Sequence, residues 1–291
     1  MVNYRAIYSN RRSKASSVEA QMFAQINHVA IISHQYNTLG KFYESVFGLK
    51  SSAKGRPASA ITIGDGYVGL NLIPRRDGYV GGIDHFGVVV DEVEPVLERM
   101  KRKHKNAAIV KRPSARPFAA YSGHDPDGNV FDLAQKKEDT RKEVYAEIAG
   151  GGWAQDRYVN KFAIRTPNAE ECAEFYRDVF ELEPVNRKSG TAGYCLTDGR
   201  MTLAVLPWSI PVFEGMSVKR PGPDHIGFHV ENLDAFKARV AEVAGMNPYL
   251  AGVPLGGSPE SDVRKRFFAG QASGKWQMSD PDGNWIDITD E

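Results

Sequence analysis

The chain has 291 residues, 42% hydrophobic and 25% charged, which is typical of a soluble globular protein long enough for two domains. A formal net charge of +1 gives no electrostatic reason to expect a nucleic acid or a membrane as partner. Two cysteines are too few for a disulfide framework, and no apolar run reaches the roughly 18 residues that a membrane span needs. We therefore predict a cytoplasmic protein.

The first predicted unit follows a polar, basic N-terminal arm at residues 1–22. Side chains alternate between the two faces of a strand at residues 25–32, which places Ile26, His28, Ala30 and Ile32 on one face and Val29 and Ile31 on the other. Apolar residues then recur at helical spacing: Leu39, Phe42, Tyr43, Val46 and Phe47. Strands at 59–64 and 67–73 complete a β-α-β-β unit of about fifty residues.

The second predicted unit begins at Gly82, with His85 on a strand at residues 83–90. A helix follows, with the stripe Val93, Val96, Leu97 and Met100, and then strands near 107–112 and 117–123. The sequence Asp125-Pro126-Asp127-Gly128-Asn129 is typical of a tight turn. It leads into a last strand on which Asp132 faces away from the apolar side chains of its neighbours.

The whole pattern then repeats after a charged and glycine-rich connection at residues 136–156. Phe42-Tyr43 returns as Phe175-Tyr176, and the turn returns as Asp280-Pro281-Asp282-Gly283-Asn284. We predict four similar units in two domains, at 23–135 and 157–291. A Gly- and Pro-rich excursion at 245–270 distinguishes the fourth unit. We expect it either to cap a cleft or to form a dimer contact.

Three side chains of the first domain occupy matching places in the units and could converge: His28, His85 and Asp132. Two imidazoles and one carboxylate on one side of a metal leave open positions, the arrangement that suits Fe(II) oxygen chemistry. Asn71 faces the same way and is at most a weak neutral ligand. The alternative is structural, because a strand histidine can serve as a hydrogen-bonded core residue and Asp132 can face water.

The second domain lacks this set of residues. Lys161 stands where the first domain has His28, and Ala204 stands where it has Asn71. His225 and Asp287 remain. We expect the lysine to supply a positive charge in place of a metal and to pair with Asp287, so that this second site is a decayed one.

These motifs resemble the vicinal oxygen chelate superfamily, which includes glyoxalase I, extradiol dioxygenases and bleomycin-resistance proteins. The resemblance rests on His28, on the Phe42-Tyr43 helix and on the Asp-Pro-Asp-Gly-Asn turn. It implies an α+β fold of four βαβββ modules paired into two glyoxalase-like half-barrel domains. It also implies a divalent metal held by His28, His85 and Asp132: Fe(II), with Mn(II), Zn(II) or Ni(II) as alternatives. Some members pair module 1 with 4 and 2 with 3, and that pairing stays open.

The resemblance favours a ring-cleaving, Fe(II)-dependent extradiol-type dioxygenase of a catechol-like diol. Tyr121 would donate a hydrogen bond, His124 would act as acid or base or be structural, and Arg116 would neutralise an anionic substrate group or lie at the surface. One alternative is a glyoxalase-like lyase or isomerase, which ordinarily needs an acid where Asn71 stands. The other is a metal-free protein that binds an aromatic compound. We expect a small aromatic substrate, no nucleic acid or membrane partner, and homo-oligomerisation as an open question.

Overall fold

The computed structural model describes residues 24–51, 60–112, 119–138, 155–185, 193–208, 221–259, 262, 265 and 274–291. The predicted arm at 1–22, Arg116, most of the predicted 136–156 connection and part of the 245–270 excursion lie outside these ranges. Among the helices of the described ranges, none is long and apolar enough to cross a membrane.

Eight strands of the first half form one mixed sheet in the order β2-β3-β4-β1-β5-β8-β7-β6. β1 pairs with β4 in parallel and with β5 in antiparallel, and β5 pairs with β8 in parallel. The strands are β1 Ala24–Ser33, β2 Lys50–Ser51, β3 Ile61–Gly64, β4 Gly69–Pro74, β5 Gly82–Val90, β6 Ile109–Lys111, β7 Tyr121–His124 and β8 Val130–Gln135.

The second half repeats this sheet with the same topology, in the order β10-β11-β12-β9-β13-β16-β15-β14. Modules 1 and 2 therefore share one sheet and modules 3 and 4 share the other, which confirms the α+β fold of paired modules. The strands are β9 Tyr158–Thr166, β10 Glu183–Pro184, β11 Tyr194–Thr197, β12 Thr202–Pro207, β13 Gly222–His229, β14 Val253–Pro254, β15 Trp276–Ser279 and β16 Trp285–Thr289.

Each module contributes one long helix with an apolar face. The four are α1 Tyr36–Phe47, α2 Val93–Lys103, α3 Ala169–Phe180 and α4 Leu233–Met246. The sequence explains their ends. α1 ends at Gly48, which adopts a left-handed conformation at φ +70° and donates its N–H to Glu44 O. α4 begins at Asn232, whose side-chain oxygen accepts from Ala235 N.

The helices pack across the boundary between the two halves. α1 contacts α4, and α2 contacts α3, so modules 1 and 4 and modules 2 and 3 meet through their helices. Phe47 of α1 stacks on Phe228 of β13, with ring centroids 3.9 Å apart. Phe131 of β8 meets Phe180 of α3 edge-on at 5.3 Å. The cross-pairing considered from the sequence is therefore present as helix packing, while the sheets pair consecutive modules.

The two Asp-Pro-Asp-Gly-Asn turns clamp the halves together. Asp280 accepts hydrogen bonds from its own turn, at Asn284 N and Asn284 Nδ2, and also from the hydroxyl of Tyr43 at 2.9 Å. In the other direction, the hydroxyl of Tyr176 donates to Asp125 at 3.0 Å. The repeated turn and the repeated Phe-Tyr helix therefore form two reciprocal contacts between the halves.

A second reciprocal pair of contacts ties each first strand to the other half. Asp65 follows β3 and accepts a hydrogen bond from Val159 N of β9 at 2.9 Å. Asp198, the matching residue of the second half, accepts from Ile26 N of β1 at 2.7 Å. The two halves are thus related by approximate two-fold symmetry in detail, down to single backbone amides.

Candidate metal centre

Three neighbouring strands bring His28, His85 and Asp132 together. One potential ligand atom from each lies within 4.8 Å of the others. In the sheet, Gly87 of β5 pairs with His28 of β1 on one side and with Asp132 of β8 on the other. His28, Gly87 and Asp132 therefore form a row across the three strands. His85 lies two residues before Gly87 and therefore shares its face. The sequence prediction that these side chains converge is realised in the structure.

Gly87 leaves the room that this row needs. A Cβ atom at position 87 would overlap the imidazole of His28 and lie 2.8 Å from Asn27 Oδ1. Any larger residue would displace the histidine from the centre. The glycine of the Asp-His-Phe-Gly sequence is thus required by the packing of the site, a close approach that glycine alone permits.

Both imidazoles point their Nε2 atoms at one carboxylate oxygen. Asp132 Oδ2 lies 3.2 Å from His85 Nε2 and 3.6 Å from His28 Nε2. The two rings are nearly perpendicular, at 87°, with centroids 5.7 Å apart. His28 and Asp132 are 2% and 3% exposed, so the centre is shielded from bulk water, while His85 is partly open to it.

The other nitrogen of each ring is anchored by the preceding residue. His28 Nδ1 lies 2.7 Å from Asn27 Oδ1, and His85 Nδ1 lies 2.6 Å from Asp84 Oδ2. Because these oxygens accept, each Nδ1 donates its N–H, and in the neutral ring Nε2 then presents its lone pair to the centre. Oxygen partners of this kind orient the histidines of metal sites and raise their basicity.

Two β-bulges allow adjacent side chains to meet in this way, although neighbours on a regular strand point to opposite faces. The β1–β5 register shifts between Ile26 and His28, which makes Asn27 an extra, unpaired residue of β1. It shifts again beside His85, which makes Asp84 an extra, unpaired residue of β5. The first shift also turns Ile26 into the hydrophobic core with Val29 and Ile31. The predicted placement of Ile26 on the His28 face is therefore wrong, because strict alternation stops at the bulge.

Arg112 completes the surroundings of Asp132, and sequence reasoning missed it. Its Nη2 contacts Asp132 Oδ1, on the side of the carboxylate away from the histidines. Its Nε is buried and has no hydrogen-bond partner among the described residues. The predicted arginine, Arg116, lies outside the described residues. The approach of Arg112 to Asp132 depends on where β6 ends, which the spacing of residues does not indicate.

The charges at the centre reinforce one another. Burial by itself would lower the pKa of His85, but hydrogen bonds to Asp132 and Asp84 outweigh it and raise the pKa to about 9. Burial would raise the pKa of Asp132, but the close approach of the His28 and His85 imidazoles holds it well below its usual range. Asp132 therefore stays ionised and attracts a cation, and a metal that binds here would displace a proton from the His85 imidazole.

Asn71 lies beside the centre, as predicted, but as an oriented amide. Ala30 of β1 pairs with Asn71 on one side and with His85 on the other, which puts all three in one row. The hydroxyl of Thr62 donates to Asn71 Oδ1 at 3.0 Å. The Nδ2 atom of Asn71 carries two N–H donors and is not a metal ligand.

The structure does not bring Tyr121 and His124 to the ligand atoms. Tyr121 pairs with Leu133 across β7 and β8 and packs on the hydrophobic core, on the face opposite Asp132. His124 shares the Asp132 face of the sheet, but its Nδ1 donates to Asp125 O of the turn at 2.8 Å. The catalytic roles predicted for both residues stay predictions.

The matching place in the second half is occupied by an ion pair. Lys161 of β9 contacts Asp287 of β16, which confirms the pairing expected from the sequence. Lys161 is 6% exposed and Asp287 is 3% exposed. His225 of β13 stands beside them, as His85 does in the first half. Within the described residues, His28, His85 and Asp132 form the cluster able to hold a metal ion.

Comparisons with known proteins place this architecture. A model of the Glyoxalase/Bleomycin resistance protein/Dioxygenase superfamily matches residues 25–133 and 158–288. A Mn(II)-bound glyoxalase from Novosphingobium aromaticivorans has a similar structure, with a TM-score of 0.59, 16% identity, and 93% of this chain and 83% of that chain covered. Homoprotocatechuate 2,3-dioxygenase from Arthrobacter globiformis gives a TM-score of 0.57 at 14% identity, covering 94% and 81%.

A third similar structure is a xylose isomerase-like TIM barrel/4-hydroxyphenylpyruvate dioxygenase fusion protein, with a TM-score of 0.60 and 13% identity. The comparison covers 91% of this chain but 48% of the fusion protein, so the chain spans about half the length of that relative. At these identities the likeness extends to the fold.

Proposed function

This chain belongs to the Glyoxalase/Bleomycin resistance protein/Dioxygenase superfamily, and on that basis we propose that it is a metal-dependent enzyme that cleaves the ring of a catechol-like diol, as an extradiol-type dioxygenase. The observation that carries the proposal is the cluster of His28, His85 and Asp132, whose ligand atoms lie within 4.8 Å of one another. Two imidazoles and one carboxylate on one side leave coordination positions for a substrate and for O₂.

The residues present fit a divalent metal, and Fe(II) is the ion proposed. His28 Nε2, His85 Nε2 and one oxygen of Asp132 would hold it, since the opposite atoms of these groups are anchored by Asn27, Asp84 and Arg112. When bound, such an ion supplies the positive charge that lowers the pKa of a diol hydroxyl and the electron transfer between the diol and O₂.

The surrounding side chains would bind and orient the substrate. The buried Nε of Arg112 can donate to an ionised substrate oxygen, and its charge stabilises an anionic diol. Asn71, whose carbonyl oxygen accepts from Thr62, would donate from its amide N–H groups to a second substrate oxygen. His124 lies on the same face as Asp132 and would serve as proton donor or acceptor through Nε2, with Nδ1 held by the turn.

Asn71 also separates the proposal from lyase or isomerase chemistry. Proton abstraction next to a chelated carbonyl needs a base beside the metal. An amide whose carbonyl oxygen accepts from Thr62 is not a base at neutral pH. The residue at this position favours oxygen chemistry over isomerisation.

The test is anaerobic purification, Fe(II) reconstitution and elemental analysis, followed by O₂ uptake with a panel of catechols. We expect one iron per chain and catechol-dependent O₂ uptake that is lost in His85→Ala. The matched control is His225→Ala, which removes the corresponding imidazole of the other half and should leave the uptake intact. A metal-loaded protein that consumes no O₂ with any catechol, or one that binds no metal, would contradict the proposal.

A further inference from the structure

We propose that the second half of the chain carries its own cation: the ammonium of Lys161 fills a metal position, and the groups around it form a latent metal site that the single substitution Lys161→His would open. The observations below do not depend on the reaction catalysed at the first centre, so the inference stands apart from the proposed function.

Lys161 occupies the position of His28 in the repeated sheet. Gly227 of β13 pairs with Lys161 on one side and with Asp287 on the other, as Gly87 pairs with His28 and Asp132. A Cβ atom at Gly227 would lie 2.6 Å from the Cβ of Lys161. The room that glycine clears for an imidazole in the first half is therefore cleared here too, and Lys161 uses it.

The side-chain oxygen of Asn160 lacks the hydrogen bond that its counterpart Asn27 makes in the first half. In the first half, Asn27 Oδ1 accepts from Nδ1 of the following histidine at 2.7 Å. The same register shift makes Asn160 a bulge residue, next to Lys161. Asn160 Oδ1 is buried and has no hydrogen-bond partner in the described part of the chain. A lysine has no N–H at the place of Nδ1, whereas a histidine at 161 would restore the missing donor.

His225 is already oriented as a ligand. Its Nδ1 lies 2.7 Å from Asp224 Oδ2, and Arg165 Nε donates to Asp224 Oδ1 at 2.6 Å. Its Nε2 is buried with no hydrogen-bond partner among the described residues. A register shift between Pro223 and His225 makes Asp224 a bulge residue, as Asp84 is in the first half. One ring is thus anchored, with Nε2 directed away from its anchor.

Asp287 supplies the third ligand group, and its charge requires a cation. Its carboxylate accepts from Gly274 N and from Gln277 Nε2, each at 2.9 Å, in addition to its contact with Lys161. The two neutral donors leave the negative charge uncompensated, and the Lys161 ammonium balances it. A divalent ion cannot share that place, because the ammonium occupies it and repels it.

The experiment measures the change in metal stoichiometry caused by Lys161→His. The purified protein of 291 residues is saturated with Zn(II), desalted and analysed for bound zinc. If the wild type holds n ions per chain, Lys161→His should hold n plus one, and Lys161→His/His225→Ala should return to n. Because the difference is measured, the result is readable even if n is zero, the outcome in which the first centre binds no metal and the proposed function fails instead.

A second pair of variants tests the internal cation directly, and its result does not depend on the folding of Lys161→His. Lys161→Met leaves Asp287 charged and buried without its ammonium, and should lower the melting temperature by about 10 °C. Lys161→Met/Asp287→Asn removes both charges and should regain most of that loss. A folded Lys161→His variant that gains no zinc, or a Lys161→Met variant that melts with the wild type, overturns the proposal.

Discussion

The two halves of this chain place the same backbone around two different centres. In the first half, a glycine, two bulges and three strands bring His28, His85 and Asp132 into a cluster able to hold an ion. In the second half, the corresponding glycine, bulges and strands bring together Lys161, His225 and Asp287. Among the residues that differ between the two centres, His28 against Lys161 is the exchange of a potential metal ligand for a cation.

The comparison also shows which features serve the fold and which serve the site. The bulges persist in the second half, although Asn160 has lost its hydrogen-bond partner there. The interdomain tyrosine–aspartate contacts persist in both halves as well. Backbone features and interdomain contacts are thus common to both centres, while the chemistry of the centre differs.

The largest expected effect comes from giving the first centre the residue of the second. His28→Lys should abolish metal binding and activity, because an ammonium beside Asp132 takes the place of the ion. The fold should persist, since Gly87 leaves room for the side chain and Asp132 can pair with it. Metal analysis, O₂ uptake and thermal unfolding of one preparation check this. A His28→Lys variant that still holds its ion would break the parallel between the centres.

The next effect concerns the residue that anchors the first imidazole. Asn27→Ala should weaken metal affinity by roughly 10- to 100-fold, because His28 Nδ1 loses its oxygen partner and the ring its fixed orientation. Competition against a chromophoric chelator measures the affinity. The matched control is Asn160→Ala, which removes the corresponding residue of the other half and should leave the affinity unchanged. Equal losses in both variants would point to a general effect of the bulge.

The reciprocal clamps allow a direct comparison of the two interdomain contacts. Tyr43→Phe and Tyr176→Phe each remove one hydroxyl that donates to a buried carboxylate group of the other half. Each substitution should lower the free energy of unfolding by about 1–2 kcal/mol, with little change in metal content. Denaturant unfolding measures both. A pronounced inequality would show that the approximate two-fold symmetry of contacts is not a symmetry of energies.

A pH dependence distinguishes the Asp280 clamp from the Asp125 clamp. Burial raises the pKa of Asp280 to about 6, against the opposing hydrogen bonds from Asn284 and Tyr43 and with the help of the nearby Asp282 charge. Since the folded-state pKa lies above the ordinary value, the folded chain binds the proton more tightly. The contribution of Asp280 to stability is complete below about pH 4 and is lost as the pH rises through 6.

The corresponding measurement is the free energy of unfolding from pH 4 to 7. The wild type should lose up to about 1.4 kcal/mol per pH unit relative to Asp280→Asn, which lacks the titrating group. The difference between the two curves isolates Asp280 from the other groups that titrate in this range. Parallel curves for the two proteins would contradict the raised pKa.

Much of the architecture follows from local patterns. The apolar stripe of Leu39, Phe42 and Tyr43 predicts α1, and the Asp-Pro-Asp-Gly-Asn turns predict where β8 and β16 begin. The alternation around His85 and Asp132 placed both side chains on the faces where the structure has them. These predictions succeed because helix and strand periodicity depend on residues a few positions apart.

Other features of the site depend on residues far apart along the chain. The bulge at Asn27 places Ile26 on the core side of the sheet, opposite to the face that strict alternation predicts. The residues of β1 considered alone do not indicate this bulge. Tyr121 packs on the core instead of approaching the ligands, and Arg112 contacts Asp132 although no spacing in the sequence indicated it. Register and bulges are set by pairing between strands, which the order of residues in one strand does not encode.

By itself, the sequence determined the repeat, the module type and the three side chains that meet at the first centre. It also determined that a lysine replaces one of them in the second half. Tertiary structure alone decided that the Phe-Tyr helix of each half caps the turn of the other, and that Asn27 and Asp84 anchor the imidazoles. The physical reason is that side-chain periodicity is a local property of the chain, whereas hydrogen-bond partners are chosen by packing among distant segments.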